Sequence, residues 1–168
     1  MNRLLSLVLL LLIAAPAGAQ NVVLLRHAEK ASDGTSNPPL TAYGTARAEA
    51  LIGVLSASGL DAAITSGFTR TVDTAAPAAA HFGAESVVVG VSDGMAVHLE
   101  QTAAAVRAFG EDATVLLVGH SNTIPALIGA LGGPELPSLD ESEYDLLYFM
   151  DLNGDEPTLH KIYWRPIE

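Results

Sequence analysis

Residues 22–30 read Val22-Val23-Leu24-Leu25-Arg26-His27-Ala28-Glu29-Lys30. An unbroken apolar run of this length, too short for a helix, is the pattern of a strand buried on both faces. The polar cluster follows without a spacer, in the place where open parallel sheets bind their ligands, beyond the C-terminal end of a strand. Working outward, runs of the same kind recur at residues 62–65, 87–89, 114–118 and 146–150. Between them apolar side chains fall at helical spacing. Ala48, Leu51, Ile52 and Leu55 stand at i, i+3, i+4 and i+7 with Thr41 placed as a cap, and further helices are expected over residues 69–80, 101–109 and 124–131. Strands alternating with helices predict an α/β fold, a three-layer αβα sandwich with a mostly parallel central sheet. The turn at Asn153-Gly154-Asp155 before a last strand at residues 159–164 predicts an antiparallel C-terminal edge. There is no internal repeat, and the loops at residues 33–39 and 132–142 are too short to link domains.

The chain has 168 residues, with Lys+Arg 8 against Asp+Glu 19, a net charge of −11 and no cysteine. One domain of this size buries roughly 68–70% of its unfolded surface and needs no disulfide or structural metal. The acidic balance disfavours nucleic acid and anionic membrane surfaces as partners, since these are gripped by clustered Lys and Arg. Residues 1–19 have the three parts of a signal peptide: Met1-Asn2-Arg3, an apolar run over residues 4–15, and Pro16-Ala17-Gly18-Ala19. The run falls short of the ~20 residues a membrane-spanning helix needs. Cleavage after Ala19 is expected to release residues 20–168 as an exported domain, periplasmic or secreted, with no stable membrane anchor.

The strand ends carry the chemistry. The run at residues 114–118 leads into Gly119-His120-Ser121-Asn122, and that at residues 62–65 into Ser66-Gly67-Phe68-Thr69-Arg70-Thr71. Two histidines and two arginines therefore leave three strands at the same end. If the strands are neighbours, Arg26, His27, Arg70 and His120 converge on a phosphate site. Arginine fits a phosphoryl group through paired hydrogen bonds, and a neutral imidazole attacks phosphorus without first losing a proton. His81, His98 and His160 lack that context and read as structural or exposed.

Residues 23–30 resemble the opening signature of the histidine phosphatase superfamily, the phosphoglycerate mutase-like fold. Three further segments are similar to its motifs, in the family's order. They are Pro39-Leu40-Thr41-Ala42-Tyr43-Gly44 with Arg47-Ala48, then Ser66 with Arg70-Thr71 and Thr74-Ala75, then Val118-Gly119-His120-Ser121-Asn122-Thr123. The resemblance implies a phosphomonoester hydrolase related to the histidine acid phosphatases, acting without metal or other cofactor. It implies that His27 is the nucleophile, passing through a phosphohistidine, while Arg26, Arg70 and His120 bind the phosphoryl group and His120 also takes part in catalysis. Two positions depart from the family: Ala28 stands where glycine commonly follows the nucleophile, and Asp33 where asparagine is often found. The family's leaving-group acid has no motif here. Glu29, Asp93 and Glu100 are candidates beside the possibility of none, and Glu29, two residues from His27, is the one expected to act. The other reading of Glu29 is an ion pair that orients Lys30 or an arginine.

Other readings have definite signatures. Residues 119–123 resemble a serine esterase elbow but end in Thr123, not glycine. A non-catalytic phosphate-ligand binding protein of the same fold would keep the basic cluster without turnover. A phosphomutase fits less well, because the chain lacks insertions that could enclose a bisphosphate and exclude water. Specificity is expected in the loops at residues 31–40, 92–98 and 132–144, which are short enough for a small or protruding phosphomonoester. The sequence does not determine the oligomeric state, although residues 146–150 near a sheet edge offer a surface for pairing.

Overall fold

The computed structural model describes residues 20–154 and 156–165. The expected signal peptide, residues 1–19, lies outside them. Residues 22–25 do form a strand, β1 (Asn21–Arg26), and it runs through the middle of the sheet. Parallel β4 (Thr114–Gly119) pairs on one side and antiparallel β5 (Leu146–Asp151) on the other. β2 (Ala62–Thr65) joins β4, β3 (Glu85–Val88) closes one edge, and β6 (Thr158–Tyr163) closes the other through a hairpin with β5. The order is β3-β2-β4-β1-β5-β6. Parallel pairing over β3-β2-β4-β1 with an antiparallel C-terminal edge is the sheet the alternating pattern predicts.

The period-two geometry of the strands divides the core. Val22, Leu24, Ile64, Val115 and Leu117 face one way and pack with Ala103 and Val106 of α3 (Met95–Arg107) and Ile124, Leu127 and Ile128 of α4 (Thr123–Ala130). Val23, Leu25, Ala63, Leu116 and Val118 face the other way, onto Leu51 of α1 (Ala42–Val54) and Ala75, Ala78 and Ala79 of α2 (Thr69–Phe82). The result is three layers. Val22 to Leu25 are at most 1% exposed, and full burial of each such side chain contributes about 1.5–3 kcal/mol.

Four expectations need correction. Residues 87–89 were expected to be a buried strand, but β3 starts at Glu85 and, as an edge strand bonded only to β2, exposes Glu85, Ser86 and Val88. The helix expected from residue 101 begins at Met95, because His98 and the partly buried Val97 and Leu99 continue its inner face. Gly94 caps it with no side-chain hydrogen bond, so the usual Ser, Thr or Asp start signal is absent. The last strand lies one residue earlier than expected. Residues 146–150 lie next to an edge, as expected, but offer no surface for pairing: β5 is paired on both sides, and β6 takes the outer position. The hairpin turn is there, with Asp151 accepting from the Asn153 amide at 2.9 Å; Asp155 lies outside the described residues.

Two close approaches fix the chain around the strand ends. Thr41 caps α1 through Gly44 N–H at 3.0 Å and donates its own N–H to the Glu29 carbonyl at 2.8 Å. A Cβ on Gly44 would run into the Glu29 backbone, so only glycine lets α1 start against the exit of β1. A Cβ on Gly119 would meet Thr123 Oγ1 at 2.7 Å and Ile124 at 2.9 Å, which is why glycine ends β4.

Candidate active site

The order β2-β4-β1 sets the three chemistry-bearing strand ends side by side, and the pairings Arg26↔Gly119 and Thr65↔Val118 bring them level. His27 extends the ladder by one bond, its N–H donating to the Gly119 carbonyl at 3.0 Å. Arg26, His27, Arg70 and His120 line one depression of about 330 Å³, with Lys30, Ser121 and Glu141 at the same cavity and Phe68, Val91 and Met95 as an apolar wall. The sequence expectation that these four residues converge is met in the geometry, and each stands at the strand end from which it was read.

His27 is buried, and its Nδ1 lies 2.8 Å from the Ala28 carbonyl. A carbonyl only accepts, so Nδ1 carries the proton and Nε2 keeps its lone pair. The ring centroids of His27 and His120 are 5.4 Å apart. His120 is held through a chain of hydroxyls. Thr71 Oγ1 donates to the Phe68 carbonyl at 2.8 Å, so at 3.1 Å it accepts from Ser66, and Ser66 Oγ accepts from His120 Nε2 at 2.8 Å. Thr74 completes the scaffold by accepting from the Ala28 amide at 2.9 Å and donating to the Arg70 carbonyl at 2.6 Å. The loop after β1 is thereby tied to the first turn of α2. Asn37 ties it again, accepting from Thr69 N–H at 2.9 Å.

The electrostatics suit an incoming anion. Burial, and then the charges of Arg26, His120 and Arg70, push the His27 imidazole down to about 3, against a smaller opposing effect of the Ala28 carbonyl. Burial, followed by Arg70, His98 and Arg26, pushes His120 down to about 4. Both rings are neutral at neutral pH while the guanidiniums stay charged. Arg26 Nε and Arg70 Nε are buried donors without a hydrogen-bond partner, an arrangement that costs free energy until an acceptor arrives. Among the described residues no three His, Asp or Glu side chains gather as a metal site.

The carboxylates depart from expectation. Glu29 does not enter the depression. Its two oxygens take Arg47 Nε at 3.0 and 2.9 Å and Nη2 at 2.7 Å, in a separate polar cleft with Tyr43, Tyr144 and Asp145. The chain turns away from His27 there because the Glu29 carbonyl is bonded to the start of α1. The geometry fits the other reading of this residue, an ion pair with an arginine. Asp93 and Glu100 are exposed and do not line the depression. Asp33 is turned into its own loop, accepting from Thr35 N–H at 2.9 Å and Oγ1 at 2.7 Å. The carboxylate that does reach the depression is Glu141, which the sequence reading missed. It pairs with Arg26 Nη2 at 2.6 Å and accepts from Ser121 Oγ. The Ser121 hydroxyl, with Arg26 next, holds its carboxyl below the usual range. The available signal was the acidic run of Asp140, Glu141, Glu143 and Asp145, in a loop flagged only for specificity.

The esterase elbow is not formed. Ser121 Oγ donates to a carboxylate instead of an imidazole, and no described residue other than glycine has a positive φ, as a strained elbow would require.

Comparison with known proteins bears on the family and the fold. The family model for the histidine phosphatase superfamily (branch 1) matches residues 22–96. No curated protein matches the sequence. Among solved structures, a protein from Nakamurella multipartitia that carries the phosphohistidine phosphatase name SixA is 24% identical, with a TM-score of 0.64 over 92% of this chain and 100% of that one. A protein histidine phosphatase SixA complexed with tungstate is 18% identical, with a TM-score of 0.65 over 86% and 97%. A mycobacterial glucosyl-3-phosphoglycerate phosphatase with VO3 is 18% identical, with a TM-score of 0.62 over 89% and 100%. At these identities the likeness to the solved structures is one of fold. With the family match, it bears out the superfamily resemblance read from the motifs.

Proposed function

We propose that this chain, with the motifs and fold of the histidine phosphatase superfamily, is a metal-independent phosphomonoester hydrolase that works through a phosphohistidine on His27. The observation that carries the reading is the His27 ring itself. Its Nδ1–H is committed to the Ala28 carbonyl, which leaves the lone pair on Nε2, and the ring lines the same depression as Arg26, Arg70 and His120. In the first step Nε2 bonds to phosphorus as the ester P–O bond breaks, and the leaving oxygen departs with the electron pair and takes its proton from water. In the second, water bonds to phosphorus, the N–P bond breaks, and phosphate leaves with His27 regenerated. Arg26 and Arg70 supply charge and donors to the equatorial oxygens, where phosphoryl transfer needs stabilisation most. The unpartnered Nε atoms of both arginines support that role. Tungstate and vanadate, bound by the solved structures of this fold named above, are oxyanions of the same kind.

The substrate class follows from the acid. Glu141, the one carboxylate at the depression among the described residues, is ionised and paired, so it has no proton to give. Leaving groups that depart with little protonation, such as aryl oxides or the imidazole of a phosphohistidine, suit this site better than simple alkoxides. The phosphohistidine phosphatase name of the SixA neighbours is in keeping with that chemistry. An exported enzyme, periplasmic or secreted, is part of the proposal, and N-terminal sequencing of the exported protein should begin at Gln20.

The test is hydrolysis of p-nitrophenyl phosphate in EDTA by the wild type and by His27→Ala. Turnover is expected in the wild type and a loss of at least about a thousandfold in the variant, the scale at which a nucleophile's removal is felt. Equal rates in the two proteins would refute the assignment of His27. Phosphate binding without turnover on aryl phosphate or phosphohistidine would move the conclusion to a phosphate-ligand binding protein.

A further inference from the structure

We propose that Glu141 is an internal ligand of the phosphoryl site, a carboxylate that occupies the anion seat on Arg26 and that every substrate and product must displace. The proposal rests on the phosphoryl-site reading above and adds what sets the affinity of that site. Arg26 is almost wholly buried, and the loop before β5 wraps its guanidinium. Nη1 donates to the Asp140 carbonyl at 3.1 Å and to the Glu141 carbonyl at 2.6 Å, while Nη2 takes the Glu141 carboxylate at 2.6 Å. The other carboxylate oxygen accepts from Ser121 Oγ. The side chain therefore spans from the end of β1 to the residue after His120, across the space between the proposed phosphate donors.

Three features make it a displaceable ligand and not a fixed part of the wall. The carboxylate side chain is 75% exposed although Arg26 is not, so water can hydrate it as soon as it swings off the guanidinium. The loop backbone has anchors of its own, the Asp140, Glu141 and Glu143 carbonyls on Arg26 and a bond from Leu139 N–H to the Ser121 carbonyl at 2.9 Å. Rotation of one side chain is thus enough to open the seat. With the carboxylate in place, Arg26 Nε and Arg70 Nε have no hydrogen-bond partner. A phosphoryl group brings more charge and more oxygens to the same place. If the seat is held roughly 90% of the time, apparent affinity for any anion falls about tenfold, because only the open fraction binds. That cost is common to every anion. It weakens the hold on inorganic phosphate, which has nothing else to offer, while an ester regains binding through the leaving group on the apolar wall of Phe68, Val91 and Met95.

The experiment is calorimetric titration of wild type and Glu141→Ala with inorganic phosphate and with phenylphosphonate, neither of which requires turnover. The Asp140 and Glu141 backbone carbonyls still hold the Arg26 guanidinium in the variant, and urea unfolding of both proteins checks that it folds. The expected result is tighter binding of both anions to the variant, by the same factor of about ten. Equal binding by the two proteins overturns the proposal, because the carboxylate would not be holding the seat. A gain for phenylphosphonate alone also overturns it, since Glu141 would then obstruct the leaving group and not the phosphoryl group. Weaker binding by the variant overturns it in favour of a residue that helps to hold substrate. Binding of neither anion by either protein would instead bring down the phosphoryl-site reading, and this proposal with it.

Discussion

Replacing Glu29 by Gln separates a catalytic carboxylate from a structural one. Arg47 is 5% exposed, stacks between the Tyr43 and Trp164 rings, and donates three bonds to Glu29 and one to the Trp164 carbonyl at 3.3 Å. Removing one partner of a fully buried ion pair costs about 3–5 kcal/mol, because the remaining charge is stranded. The Glu29 side chain is 21% exposed, so water can reach the gap, and a loss of about 2–3 kcal/mol is expected. At about 2–4 °C per kcal/mol for a domain of this size, Tm should fall by roughly 5–10 °C. Urea unfolding measures the same loss as a lower midpoint at unchanged slope. The double variant with Arg47→Met should recover part of it, since an apolar stem replaces the stranded charge. Hydrolysis of alkyl and aryl phosphates should slow by the same factor, because the carboxylate does not reach the depression. Unchanged stability, with alkyl hydrolysis falling at least about tenfold further than aryl, would refute the structural assignment and restore Glu29 as the acid.

Ser66→Ala should reduce kcat by about ten- to a hundredfold, the usual scale for a residue that orients another. Nitrogen NMR should show the His120 Nε2–H tautomer giving way to a mixture, and an unchanged tautomer would exclude the hydroxyl chain as its cause. The depressed His27 also links stability to pH. Its folded value of about 3 lies below the ordinary 6.5, so on acidification the unfolded chain takes up a proton that the folded chain refuses. The stability is fully present above about pH 6.5 and is lost as pH falls from there toward 3, at up to ~1.4 kcal/mol per pH unit. Between pH 6.5 and 5 the wild type should lose about 1–2 kcal/mol more than His27→Ala in urea unfolding. Parallel losses in the two proteins would show that His27 is not held neutral by burial.

The legible part of this molecule is the part set by local pattern. The strand at Val22 to Leu25 was readable because a central parallel strand is buried on both faces and shows as unbroken apolar sequence. β3 was misplaced because an edge strand has only one partner and half its surface in water, which leaves Glu85-Ser86 without a strand signature. The start of α3 was missed because Gly94 carries no side-chain cap. Arg26, His27, Arg70 and His120 were found because each ends a strand, immediately follows one or opens the next helix, so topology alone gathers them. Ser66 belongs to a recognisable motif, but its bond to His120 depends on the β2-β4 register and only appears in three dimensions.

The acids were unreadable for a sharper reason, which also explains what each does. Glu29 and Glu141 are the same side chain, and each pairs with an arginine that is almost wholly buried. Sequence distance to His27 favoured Glu29, yet the direction of the chain after β1 is set by the contact of Gly44 and Thr41 with the Glu29 backbone, which carries its carboxylate to Arg47. What then separates the two is exposure, 21% for Glu29 and 75% for Glu141. A carboxylate bonded three times to a buried cation and sheltered from water is too costly to remove, and so acts as structure. One held by a buried cation but open to solvent exchanges at little cost, and so acts as a ligand that a better anion can replace. Arg26 thus keeps its charge compensated while the site is empty, without giving up the ability to bind a phosphoryl group when one arrives.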